Sequence, residues 1–396
     1  MRIVLYTGKG GVGKTTTAAA TAVCAAARGR RTLILSADAA HSLGDVFERR
    51  LGPTPKSLAP RLDALEVDAR YEMNQHWGSI RDYLVALMRH QGIEELVAEE
   101  LALLPGAEEL STLLAVEQYA RAGPYDFVVV DCAPTGSTLR LLTLPDVAHG
   151  ALQLLLRVQQ ALAAVVTPVA RHVVSVPLPD AAVFSDANKL VYRRLRALRQ
   201  RITDRDSSVR IVVTPERMVI DEAQRSFTDF ALFEIPCDAV VMNRLLPEAA
   251  ASEAYFHDWG RLQEERRHEV EALFDPLPVL PAPLQRDEVT GLERLAAHGE
   301  EIFADAEPDA ILCSAPRVEF RRDGPGYRLD LPLPHARATD LEVTKLDDEL
   351  LIRTASRRRS LKLPRGFAPL SLATARMEAN RLVVRFDRPA AEPGAP

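Results

Sequence analysis

Cysteine is scarce in this chain: four in 396 residues, Cys24, Cys132, Cys237 and Cys313, all far apart. No two form a C-x-x-C pair, so neither a zinc site nor a disulfide framework is supported, and a reducing, cytoplasmic setting is expected. An excess of positive charge is missing as well. Lys and Arg number 49 against 55 Asp and Glu, a formal net charge of −6, and no nucleic-acid partner is expected from such a total. Long apolar runs are also lacking. The most apolar stretch, ALQLLLRVQQALAAVVTPVA at 151–170, contains Arg157, two adjacent glutamines and Pro168, whereas a membrane-spanning helix needs about 20 mostly apolar residues. It reads as a buried or groove-lining helix. The first residues run straight into a strand, so no secretory signal is expected. No internal repeat is evident.

What is present is an ordinary globular composition, 47% hydrophobic and 26% charged, in a chain long enough for more than one domain. Its most informative stretch is TGKGGVGKTTT, Thr7 to Thr17. Gly8, Gly13, Lys14 and Thr15 fill the phosphate-binding pattern G-x-x-x-x-G-K-[ST]. Glycines at 8, 10, 11 and 13 allow close backbone approach to a phosphate chain, and the helix starting near Lys14 adds its partial positive charge. Lys14 is expected to reach the β- and γ-phosphates of ATP, with the Thr15 hydroxyl on Mg²⁺. Lys9 lies in the variable part of the pattern. It is either a solvated lysine beside a turn or a charge aimed at a nucleotide bound across a dimer interface.

The loop follows the apolar run Arg2–Tyr6, read as a buried parallel strand, and precedes an alanine-rich helix ending at Gly29. Further strands are read at RTLILSAD, ending in Asp38, and at 125–134, 209–216 and 237–243. Their alternation with helices predicts an α/β fold: a doubly wound, mostly parallel P-loop sheet. Two helical insertions, about 73–122 and 147–201, interrupt it; they carry something specific or merely cap the sheet. After 305–316 the pattern becomes period two, predicting a small all-β sandwich. The expected domains are 1–307 for the ATPase with its helical subdomain, 316–388 for the sandwich, and 389–396 for a disordered tail. Arg357, Arg358 and Arg359 are read as a solvated turn between strands.

KGGVGKTT resembles the deviant Walker A motif of the ATPase class that includes ParA, MinD, the nitrogenase iron protein and the arsenite-pump ATPase ArsA. The resemblance implies a nucleotide-dependent homodimer in which Lys9 acts in its neighbour's site. DAAHSLGDVF (38–47) resembles the switch I segment of the ArsA and tail-anchored-protein targeting ATPases, with Ala39 in place of the family proline. DCAPTGSTLRLL (131–142) resembles their switch II, and VVMNRLLP (240–247) the strand whose asparagine reads adenine. By this resemblance Asp38 orients or deprotonates the attacking water, and Asn243 and Glu216 belong to the nucleotide site together with Lys9, Gly10, Gly11, Val12 and Thr16 of the loop. Asp131 ends a strand as in Walker B motifs, holding Mg²⁺ through a water or simply capping a turn. Asp45 is a second switch carboxylate or a salt-bridge partner, and His41 a structural contact. Pro281–Leu284 are expected to form a loop over the base.

Three functions compete. The targeting ATPases hold hydrophobic transmembrane helices, and YLVALM, LALLPG and ALQLLLRVQQALAAVV supply apolar walls for such clients. The arsenite-pump ATPases bind a soft metalloid through thiolates, but no cysteine falls in either insertion, and Cys24 and Cys132 read as core residues. A ParA- or MinD-like nucleotide switch is the third. The C-terminal sandwich resembles a small-heat-shock (α-crystallin-like) domain, either client-binding or a stabilising appendage. The preferred reading is a cytoplasmic Mg²⁺-ATPase, homodimeric, with hydrophobic helical clients and a membrane receptor or channel as a further candidate partner.

Overall fold

The computed structural model describes residues 1–37, 42–68, 71–72, 85, 89, 107–133, 135–136, 194, 196–314, 316–324 and 326–388. Four runs of apolar or β-branched residues form the buried centre of a sheet: β1 (Arg2–Thr7), β2 (Thr32–Ser36), β5 (Phe127–Asp131) and β6 (Ser207–Val213). Every residue in them is buried, as expected of parallel strands covered on both faces. With β3 (Lys56–Ala59), β4 (Leu62–Glu66), β7 (Cys237–Leu245) and β8 (Val279–Pro283) they make an eight-stranded sheet ordered β3-β4-β2-β5-β1-β6-β7-β8. Only the β3–β4 pair is antiparallel.

The alanine-rich α1 (Lys14–Ala27) is buried along most of its length. It lies against α8 (Gly291–Phe303) so closely that a Cβ on Gly299 would sit 2.7 Å from the Ala20 carbonyl oxygen. Small side chains therefore set that helix-to-helix distance. Between them in the chain come α2 (Ser42–Val46), α3 (Ala107–Ala122), α4 (Arg196–Ile202), α5 (Arg217–Leu232), α6 (Glu248–Ala251) and α7 (His257–Phe274). Helices α3 and α4 are the described helices of the two expected insertions. Arg194 ties them together through Glu117 (2.9 Å), and Arg201 donates to the Ala120 carbonyl (3.2 Å). The apolar segments proposed as client walls lie outside the described residues, apart from Val85. Among the described residues, no helix is long and apolar enough to cross a membrane.

The C-terminal region is all-β. One sheet orders β14-β15-β10-β9 (Ser371–Glu378, Arg381–Asp387, Gly326–Pro332, Glu319–Asp323), the other β11-β12-β13 (Glu342–Leu346, Glu349–Arg353, Arg358–Lys362). All described pairings in it are antiparallel. Alternation turns Leu329, Leu331, Leu350, Ile352, Leu382, Val384 and Phe386 inward. Phe367 packs against Phe320, Tyr327 and Phe386 at centroid distances of 5.4, 4.9 and 5.1 Å.

The expected solvated turn at 357–359 is corrected here. Arg358 begins β13, and strand alternation buries Arg359, whose guanidinium donates to the Leu232 carbonyl at the end of α5 and pairs with Glu234. Arg357 and Ser356 bond both oxygens of Asp229 on α5, at 3.4 and 2.7 Å. Thr228 donates to the Pro334 carbonyl (2.8 Å), and Phe227 contacts the His335 ring. These arginines dock the sandwich on the core. The linker between the two is held by a buried cluster: Arg2 and Arg210 share Asp238 (2.7 and 3.3 Å), and Arg210 also donates to the carbonyls of Pro308 (2.8 Å) and Ala310 (3.1 Å).

Candidate nucleotide site

The parallel register brings Tyr6, Ser36 and Asp131 level with one another at the carboxyl ends of β1, β2 and β5. Ligands of open α/β sheets bind at this end. The chain leaves β1 through Gly8, whose backbone passes so near β6 that a Cβ would lie 2.3 Å from the Val212 carbonyl oxygen. It enters α1 through Gly13, left-handed at φ +92°, where a Cβ would lie 2.3 Å from Asn243 Nδ2. Neither position accepts another residue without movement. The Gly13 carbonyl accepts bonds from the Thr17 amide (3.0 Å) and hydroxyl (2.8 Å), fixing the first turn of α1. Gly10 and Gly11 are exposed at the crest, while Val12 is buried beneath.

Within this frame Lys14 folds back along the loop, and its Nζ donates to the Lys9 carbonyl at 3.4 Å. The ammonium is thus held beside the loop backbone. Lys9 itself is half-buried and Thr16 likewise. The Thr15 hydroxyl meets the Ser42 hydroxyl at 3.2 Å, which joins the loop to the described end of switch I. Ser42, in the switch I segment, falls outside the phosphate-loop pattern, and only this contact brings it to the loop. Asp131 is fully buried and accepts a bond from the Ser36 hydroxyl at 3.5 Å; its carbonyl accepts from the Ala37 amide at 2.8 Å. The next residue, Asp38, and His41 lie outside the described residues. Asp45 is exposed, and among the described residues no cation pairs with it.

Asn243 sits under the loop with both ends of its amide engaged. Nδ2 donates to the Val12 carbonyl (2.8 Å) and Oδ1 accepts from the Arg244 amide (2.9 Å). Glu216 is exposed at the N-terminus of α5 and makes no side-chain capping bond. Pro281–Pro283 are not a loop: they belong to edge strand β8, paired to β7, and only Leu284 lies beyond it. A further contact was invisible in the sequence. Thr135, in the switch II segment, donates to Glu222 on α5 at 3.2 Å. Helix α5 therefore touches switch II near its start and the sandwich at its end.

The Thr15 and Ser42 hydroxyls, which touch, and the Asp131 carboxylate at the end of β5 are oxygen donors of the kind that suits a hard divalent cation such as Mg²⁺. No group of three or more His, Cys, Asp or Glu able to hold a metal occurs among the described residues. Burial pushes the Cys24 thiol, which donates to Glu300 at 3.1 Å, up to about 12. It also raises the Cys237 and Cys313 thiols. All three are neutral thiols at pH 7.

Comparison with known proteins agrees in two separate segments. The family described as "Anion-transporting ATPase" matches residues 1–304, and the "HSP20-like domain found in ArsA" matches residues 324–386. The chain is 32% identical over 394 residues to "Putative arsenical pump-driving ATPase 1" of Aquifex aeolicus, covering 97% of this chain and 99% of the relative. It is 35% identical over 396 residues to "Putative arsenical pump-driving ATPase" of Chlorobaculum tepidum, covering 98% and 96%. Similarity extends to "ATPase GET3" of Podospora anserina, 28% identical over 325 residues, covering 78% of this chain and 92% of the relative.

Proposed function

Because the chain belongs to the ArsA family of anion-transporting ATPases, we propose that it works as a Mg²⁺-dependent, nucleotide-gated homodimer that binds hydrophobic helical segments. The observation that carries this reading is the loop itself: Gly8 and Gly13 admit no Cβ, and Lys14 lies along the backbone between them. Bound ATP replaces the Lys9 carbonyl as the partner of Lys14, while loop amides and the α1 N-terminus take the phosphate oxygens. Mg²⁺ held by Thr15 and, through water, by Asp131 would neutralise charge on the β- and γ-phosphates. Asp38, at the end of β2, orients or deprotonates the attacking water. Lys9 of the partner subunit supplies the remaining positive charge, an arrangement worth on the order of 10³–10⁵ in rate.

Asn243 holds the loop through Val12, and the likeness to the family assigns it, with Glu216, to the nucleotide site. When the γ-phosphate leaves, Ser42 and Thr135 carry the change into switch I and, through Glu222, into α5. The insertions flanking α3 and α4 then reshape a client groove, with a membrane receptor or channel as the delivery partner. Pump driving is the rival suggested by the relatives' names. It lacks support in the thiols, since Cys24, Cys237 and Cys313 are protonated and stand on different elements.

The test is co-purification. An Asp38→Asn variant, which binds ATP and hydrolyses it slowly, is expressed with tagged single-helix membrane proteins and with soluble controls. Retention of the apolar helices, lost when the insertions are made polar, is the expected result. Retention of none, together with turnover stimulated by arsenite or antimonite, replaces the client reading with the pump.

A further inference from the structure

A cleft of about 1100 Å³ lies where the core, the linker after α8 and the sandwich meet. Ser207 and Cys237, the first residues of β6 and β7, line it. It therefore opens at the end of the parallel strands opposite the phosphate loop and is no part of the nucleotide site. Ligand cavities favour such domain junctions, at volumes of about 300–1,000 Å³.

Three arginines reach this cleft from three separate places: Arg205 in the turn before β6, Arg317 in the linker and Arg381 at the start of β15. Among the described residues, no carboxylate pairs with any of their guanidinium groups. This is unusual in a molecule whose other interdomain arginines, Arg357 and Arg359, are both paired. Two carboxylates share the cleft. Glu234 is committed to Arg359, which leaves only Asp275 to answer three guanidiniums. Burial keeps the lining Cys313 thiol neutral, so it adds no negative charge. Phe227, Ile311 and Val318 supply apolar wall.

The geometry points to a binding site for a small organic phosphate: a dianionic phosphoryl group among Arg205, Arg317 and Arg381, with an apolar body against Phe227, Ile311 and Val318. Three guanidiniums against one uncommitted carboxylate leave two positive charges, which match a phosphate dianion better than a carboxylate. The planar guanidinium fork fits phosphate oxygens in pairs, and the concave wall concentrates its field. Such a ligand touches core, linker and sandwich at once, so its binding fastens the sandwich to the ATPase.

The test is calorimetric titration of the full chain, with saturating Mg-ADP present to occupy the phosphate loop. Phenyl phosphate is the probe, with benzoate and inorganic phosphate as comparison arms. The expected result is saturable binding of phenyl phosphate at one site per chain, at least about tenfold tighter than benzoate and tighter than inorganic phosphate. Arg317→Ala and Arg381→Ala should each weaken it roughly tenfold, the scale of one charge-assisted hydrogen bond. Mg-ADP affinity should stay unchanged in both. Because neither guanidinium pairs with a carboxylate among the described residues, the unliganded melting midpoints should match the parent, while the rise produced by phenyl phosphate should shrink. Absence of saturable binding, equal affinity in the arginine variants, or benzoate binding as tightly as phenyl phosphate would each overturn the assignment.

Discussion

Gly13→Ala isolates the contact that shapes the phosphate loop. Two effects act there. The alanine must hold a left-handed conformation at φ +92°, which costs about 1–2 kcal/mol for a residue with a Cβ. Its methyl would also lie 2.3 Å from Asn243 Nδ2, so the amide must rotate away from the Val12 carbonyl, which it meets at 2.8 Å. Stranding that buried carbonyl costs about 1–3 kcal/mol. The total is roughly 2–5 kcal/mol, read as a lower urea midpoint at unchanged slope. The two effects separate in a double-mutant cycle. In an Asn243→Ala background the collision is gone and only the backbone term of about 1–2 kcal/mol remains, so the two substitutions should couple by at least about 1 kcal/mol. Nucleotide affinity, followed with a fluorescent ADP analogue, should fall in both single variants. Strict additivity of the two substitutions, or a Gly13→Ala protein as stable as the parent, would refute the geometry.

Other expectations concern docking and pH. Arg359→Ala removes the cation joining Glu234 to the end of α5; with Glu234 partly exposed, a loss of about 2 kcal/mol is expected. Proteolysis within the linker at 305–318 should accelerate, and an unchanged cleavage rate would contradict the docking role. Burial lifts the Glu72 carboxyl to about 7, above an unfolded value of about 4.3. The folded state then binds the proton more tightly, so this contribution is complete below pH of about 4.3 and is lost as pH rises through about 7. Glu72→Gln should flatten that slope, by at most on the order of 3 kcal/mol, in denaturation curves between pH 5 and 8. An identical slope in the variant would show that Glu72 does not titrate there.

The parts of the fold legible in the sequence are those with strong periodic or motif signals. Arg2–Tyr6 and Phe127–Asp131 are buried apolar strands, and the period-two segments after Arg317 do pair as antiparallel sheets. Pro281 and Pro283 give β8 no amide donor at two positions, which hides a strand in the sequence; at the sheet edge these amides are not needed. Strands β3 and β4 are four and five residues long, too short to stand out. Charge misled in the other direction. Three consecutive arginines look solvated, yet strand alternation turns Arg359 inward, where a carbonyl and a carboxylate wait on α5. The phosphate loop was legible because its glycines and lysine are dictated by local geometry. The Asn243–Val12 bond spans 231 residues and the Thr135–Glu222 bond 87, and no local pattern encodes contacts of that range.

If two subunits share each ATPase site, two inactive variants should restore activity to one another. Lys9→Ala and Asp38→Asn should each bind nucleotide and turn over poorly. In a mixed dimer, the Lys9→Ala subunit keeps its own Asp38 and receives Lys9 from the partner subunit, so one complete site is restored. Random mixing in equal amounts should recover roughly a quarter of parental turnover. A mixture no more active than its two components would place Lys9 in its own subunit's site and contradict the shared-site account.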